Sequence, residues 1–144
     1  MKPLTPPRST RASAAVEFAI CALLLVSMVV GFTEFGRLIW TTEVLQETAS
    51  EAARCMGMRA ASCAAGGVYS QGNSTDYIVT LAGNRGVTVD AATITLNNAA
   101  SCGGASGFSR VTINYRFVTV APALLTTLGA AFAVPATACF PNNS

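Results

Sequence analysis

Glu17 is the first residue whose type and place could do chemistry. It is the only charge between Arg11 and Glu34, inside the stretch RASAAVEFAICALLLVSMVVGFTEFG (residues 11–36). A carboxylate in so apolar a run must be protonated, reach the membrane edge, or meet a counter-charge. The cysteines come next: Cys21 inside the run, and Cys55, Cys63, Cys102 and Cys139 beyond it. None forms a CxxC pair, which argues against a zinc ribbon. Four thiols beyond an apolar span read instead as two disulfides in an oxidising compartment, with three connectivities open. Cys21 reads as apolar packing. Glu43, Glu47 and Glu51, four residues apart, read as a solvated helix face and not as an acid–base pair. The chain has no histidine, so the commonest general base and the commonest zinc ligand are missing. It also lacks a GxSxG elbow and a glycine-rich phosphate loop. We therefore expect no catalytic residues, no metal and no cofactor, and no enzyme activity.

The elements that must carry these residues follow from composition. Of 144 residues 51% are hydrophobic and only 11% charged, against about 25% charged in soluble domains, so part of the chain is expected to face lipid. Residues 12 to 33 would span about 33 Å as a helix, enough for roughly 30 Å of hydrocarbon. Starting at Phe18 leaves too short a crossing, so Glu17 is expected to enter the cytoplasmic edge of the membrane. Lys2, Arg8 and Arg11 precede the run without any acid, which places the N-terminus in the cytoplasm and the body outside. A cleaved secretory signal is disfavoured, because Val29-Val30-Gly31 is a weak cut site and an acid does not normally open the apolar core. A lipoprotein signal fails at Ile20 before Cys21. The all-round apolarity of Leu23 to Val30 argues against a soluble core helix. The other basic residues are scattered, with no basic patch interleaved with aromatics, so nucleic acid is not an expected partner.

The order ASAAVEFAICALLL, then GFTEFGRLIW, then ETASEAAR resembles the N-terminus of TadE-like pseudopilins of tight-adherence (Flp) pilus systems. The C-terminal VTINYRFVTVAPALLTTLGAAFAVPATACF is more loosely similar to that family. The resemblance implies a class III-type signal cut by a membrane prepilin peptidase on the cytoplasmic side. In that family a small residue, usually glycine, is followed by four residues, then Glu and an aromatic. Here these are Ala12, then 13 to 16, then Glu17 and Phe18, so the implied cut falls between Ala12 and Ser13. Ala12 stands where glycine is usual. The resemblance further implies that Glu17 meets the new amine of a neighbouring subunit's Ser13, which would make the acid tolerable and fix axial register. The implied partners are the peptidase, other pilin or pseudopilin subunits, and the inner-membrane pilus platform.

Beyond the membrane, the helix is expected to continue to about Ala61 and to end at AAGG, 64 to 67. Phe35, Leu38, Thr42, Leu45, Ala49, Ala52 and Met56 form a stripe at alternating steps of 3 and 4, expected to pack on the chain's own body rather than on a coiled partner. Arg54, three residues after Glu51, is expected to offset part of the mutual repulsion of the glutamates. Ser74 to Gly83 is ambiguous between helix and strand. Val87–Val89 and Thr93–Leu96 read as short strands, and 101–107 as a turn. RVTINYRFVTV, 110 to 120, reads as the strongest strand, ended by Pro122, with its partner starting near Ala130. The uncharged residues 117 to 140 read as an apolar loop near the membrane surface rather than a second crossing, given Pro122, Gly129 and Pro135. If Cys55 and Cys63 both stayed helical they would lie about 12 Å apart, too far for a bridge. The expectation is therefore that bridges link the helix end to the sheet, with Cys102 and Cys139 near one end of that sheet.

The fold class expected is α+β: one long N-terminal helix, transmembrane and then extracytoplasmic, packed on a small antiparallel sheet. Its parts would be a basic leader (1–12), a membrane helix (13–33), the continuing helix (34–65) and a β-rich domain (66–144). The expected function is that of a minor pseudopilin in pilus assembly, in the bacterial inner membrane as a single-pass protein. The alternatives are an uncleaved scaffold of the same machine and an unrelated anchored binding module.

Overall fold

The computed structural model describes residues 10–119 and 133–143. Its elements are α1 (Thr10–Gly57), β1 (Ala64–Ala65), β2 (Val68–Tyr69), α2 (Gln71–Asn84), a 3₁₀ turn (Ala91–Thr93), β3 (Ile94–Cys102), β4 (Ala105–Arg116) and β5 (Ala133–Pro141). The architecture is α+β, as the sequence predicts. The chain divides into two compact units, Met1–Gly36 and Arg37–Ser144. The loop expected around Pro122 lies outside the described residues.

In the first unit, α1 presents its apolar side chains outward: Phe18, Leu23, Leu25 and Phe32 are among its most exposed residues. Its hydroxyls turn back onto their own helix. Ser27 Oγ donates to the Leu24 carbonyl and Thr33 Oγ1 to the Val29 carbonyl, each at 2.8 Å. Such internal bonds leave no orphan hydroxyl for an apolar solvent to penalise.

The second unit is built on the rest of α1. Val44, Leu45, Thr48, Ala49, Ala52, Ala53, Cys55 and Met56 are buried. The apolar ones share one core with Ile78 and Ala82 of α2, Val111 and Ile113 of β4, and Val134 and Ala136 of β5. The expected stripe packs on the chain's own body from Leu45 to Met56, whereas Phe35 at its start is 62% exposed, and the buried face differs from the stripe. Thr42 is exposed, whereas Thr41, Val44 and Thr48 are buried. A body on one side covers an arc with steps of 3, 4, 7 and 8, wider than the 3–4 seam read from the sequence.

The helix ends at Gly57, earlier than Ala61. The Arg59 N–H donates to the Met56 carbonyl and the Ala60 N–H to the Cys55 carbonyl, with Arg59 at φ 51. This is a Schellman closure with an arginine in the position that glycine usually takes. The AAGG segment is not the helix stop. It is a two-residue hairpin in which Ala65 pairs with Val68 and Gly66 and Gly67 have φ of 60 and 81. Gly103 and Gly104 (φ 60 and 86) turn β3 into β4 in the same way, Cys102 opposite Ala105. Positive φ at both central residues matches the right-handed strand twist.

Ser74 to Gly83 lies in a helix, α2. Ser70 caps it by accepting the Asn73 N–H at 3.4 Å, and Gly86 at φ 83 closes its end, the Val87 N–H donating to the Ala82 carbonyl. Val87–Val89 is not a strand: Val87 and Val89 are buried in an extended connection without ladder partners. The strongest strand, β4, begins at Ala105 and forms the middle of an antiparallel β3-β4-β5 sheet. Val111, Ile113 and Tyr115 face the core, while Thr112, Asn114 and Arg116 do not. Both sheet edges are modified. β3 shifts register between Asn97 and Ala100, where Asn97 Oδ1 accepts the Ala99 N–H. β5 carries Pro135 and Pro141, and its Thr137 carbonyl accepts from Gln46 Nε2 of α1 at 3.0 Å. Bulges and prolines of this kind suit edge strands.

Candidate functional site

Ala12, Ser13, Glu17 and Phe18 all lie in α1. Ser13 and Glu17 are one helical turn apart, and Ser13 Oγ points at Glu17 Oε1, 3.4 Å away. Phe18, one step on, is 74% exposed. None of the most apolar stretch of this helix is buried by the chain itself, and it is the one helix among the described residues long and apolar enough to cross a membrane. A helix that is apolar all round and uncovered by its own chain needs lipid or other subunits around it. These features are consistent with a single-pass membrane anchor.

The glutamates of α1 are partly drawn into a network that sequence spacing does not reveal. Arg85, just past α2, donates from Nη2 to Glu47 Oε1 at 3.2 Å and to Glu51 Oε2 at 3.0 Å. Tyr77 of α2 donates its hydroxyl to Glu51 Oε1 at 2.9 Å. The ion pairs to these glutamates thus come from Arg85, 34 residues away from Glu51 in sequence. The only advance signal is that Tyr77 and Arg85 flank an apolar helical segment. Burial pushes the Tyr77 hydroxyl pKa above its ordinary value, the Glu51 hydrogen bond and charge add to that, and Arg85 opposes it. Burial also raises Tyr69. No group of three or more His, Cys, Asp or Glu that could hold a metal occurs among the described residues.

At the start of the second unit, the Arg37 guanidinium lies 5.5 Å from the centre of the Phe117 ring. At its other landmarks are the disulfides, Cys55–Cys63 and Cys102–Cys139, with Cα separations of 5.9 and 6.6 Å. The expectation of bridges from helix to sheet is corrected. Because α1 stops at Gly57 and the chain reverses through Arg59, Cys63 returns beside Cys55, and the 12 Å helical separation never arises. Cys102 and Cys139 do lie together, joining the ends of β3 and β5. Cys21 is free and exposed on α1.

A membrane-type helix leading into a disulfide-bonded α+β body defines the class. Residues 12–54 match the family model described as TadE-like protein, so this helix carries the TadE-like signature that its sequence suggests. The match starts at Ala12 and ends at Arg54, inside α1. No curated protein and no solved structure matches the chain.

Proposed function

We propose that this chain is a minor pseudopilin-type subunit of a tight-adherence pilus, anchored in the bacterial inner membrane with its body outside. The observation that carries this reading is the TadE-like match, which begins at the residue where the implied cut would fall and covers Glu17 and Phe18. A prepilin peptidase would hydrolyse the Ala12–Ser13 bond, leaving a free amine four residues ahead of Glu17. One carboxylate and one ammonium, each costly in hydrocarbon, would then neutralise each other between neighbouring subunits. That pairing would set the axial register as subunits are added at the platform. The exposed apolar surface of α1 supports the reading, because a filament core supplies the cover that the chain itself does not.

The test is intact mass and N-terminal sequencing after expression with and without a cognate prepilin peptidase. A new N-terminus at Ser13, lost in Glu17→Ala or without the peptidase, is the expected result. An intact N-terminus while a control pilin is fully processed favours the second reading, an uncleaved scaffold of the same machine. Ala12 in the place of the usual glycine is the observation that keeps this second reading open.

A further inference from the structure

The two disulfides sit in unlike surroundings. Cys55 and Cys63 are buried, 6% and 0% exposed. Cys102 is half-buried and Cys139 is exposed. Arg110 stands opposite Cys139 in the β4–β5 register, but its guanidinium Nη2 lies 3.6 Å from Cys102 Sγ. The same nitrogen also contacts the Ser101 carbonyl. The bridge is therefore asymmetric: one cysteine is exposed, and the other has a guanidinium beside its sulfur.

We propose that Cys139 Sγ is the site at which an attacking thiolate exchanges with this bridge, and that Cys102 Sγ is the sulfur that departs. The thiolate sulfur bonds to Cys139 Sγ as the Cys102–Cys139 bond breaks, and its electron pair leaves on Cys102 as a thiolate beside Arg110. No net electron is gained in that step; a mixed disulfide replaces the internal one. The reverse step closes the bridge: the Cys102 thiolate attacks Cys139 Sγ and expels the external thiolate. Charge on the departing sulfur and access to the attacked one set which way such exchanges run. Arg110 favours the first at Cys102, and exposure gives the second to Cys139. The buried Cys55–Cys63 pair meets neither condition.

The probe is limiting glutathione, applied to the full chain in detergent after Cys21 has been blocked with N-ethylmaleimide. Acid quenching, alkylation and tryptic mass spectrometry follow; cleavage after Arg110 and Arg116 puts Cys102 and Cys139 on separate peptides. The expected product carries glutathione on Cys139 and alkylation on Cys102, with Cys55–Cys63 intact. Arg110→Gln should lower the Cys139-to-Cys102 adduct ratio by roughly threefold or more, and Arg110→Lys should keep it. Glutathione on Cys102, an even split, or earlier opening of Cys55–Cys63 overturns the assignment. A parallel arm uses a CxxC oxidoreductase lacking its second cysteine. Capture at Cys139 by that protein alone assigns the exchange to a protein thiol, and resistance to both probes overturns the proposal.

Discussion

Gly57 is where the end of α1 and the C-terminal strand come closest. A Cβ built there would lie 2.7 Å from Phe140 Cδ1 and 2.8 Å from the Pro141 carbonyl oxygen, and the Asn143 N–H donates to the Gly57 carbonyl at 2.9 Å. The ring could turn away, but the carbonyl belongs to backbone. Gly57→Ala should therefore destabilise the second unit by about 1–3 kcal/mol, the usual range for overpacking, as read by denaturant midpoints of the full chain in detergent. A midpoint equal to the parent's contradicts the close approach. Tyr77 makes a second prediction at this scale. Tyr77→Phe removes a partly exposed hydrogen bond to a carboxylate, with an expected loss of about 1 kcal/mol at neutral pH. Because the folded-state pKa of Tyr77 is raised above 10.0, its protonated form contributes stability that is complete below pH 10 and is lost as pH rises through the folded value. The alkaline limb of the stability–pH curve should be shallower in Tyr77→Phe, although Tyr69 keeps part of it. An unchanged limb argues against the Tyr77–Glu51 contact.

Apolar length made the first part of α1 readable, and periodicity made its second part and β4 readable, because these bury one face. The helix end was not readable in the same way. Arg59 occupies a left-handed position that glycine would have advertised, and the two visible glycines nearby belong to a hairpin instead. The β1–β2 hairpin has only two residues per strand, too short for any alternation to register. Val87 and Val89 mimic a strand because alternate burial also suits an extended connection. The Arg85–Glu47–Glu51 pairing depends on how α2 is placed against α1, which spacing along a single helix cannot reveal. Of the proposed processing residues, the sequence supplies the pattern itself: Ala12, Ser13, Glu17 and Phe18 are read as a linear motif, and the family match spans those positions. At the level of elements, Gly86→Ala tests the α2 closure. Its φ of 83 is costly for an L-residue, so the variant should lose about 1 kcal/mol, measured by thermal unfolding. No loss argues against the closure as described.

At the scale of the molecule, the apolar part of α1 is expected to hold the chain in a bilayer. Leu24 lies in the middle of that stretch, where an arginine costs roughly 2.5–3.5 kcal/mol on insertion scales. Leu24→Arg should shift the chain from the alkaline-carbonate-resistant membrane fraction toward the soluble fraction, whereas Thr42→Arg, on the exposed side of the second unit, should not. Equal retention of both variants removes the anchor reading.

The sheet's connections also order its assembly in time. β3 and β4 are joined by two residues and can zip locally, and Cys55 and Cys63 are only eight residues apart. β5 must instead cross the interval from 117 to 132 before it can pair. Bringing together strands separated by that many residues carries an entropic cost that precedes any reward from contacts. On that ground β5 is expected to be the last strand to pair, and Cys102–Cys139, 37 residues apart, is the bond that its pairing permits. The appearance of that second bond would then mark the completed body, whatever the state of the Cys55–Cys63 pair.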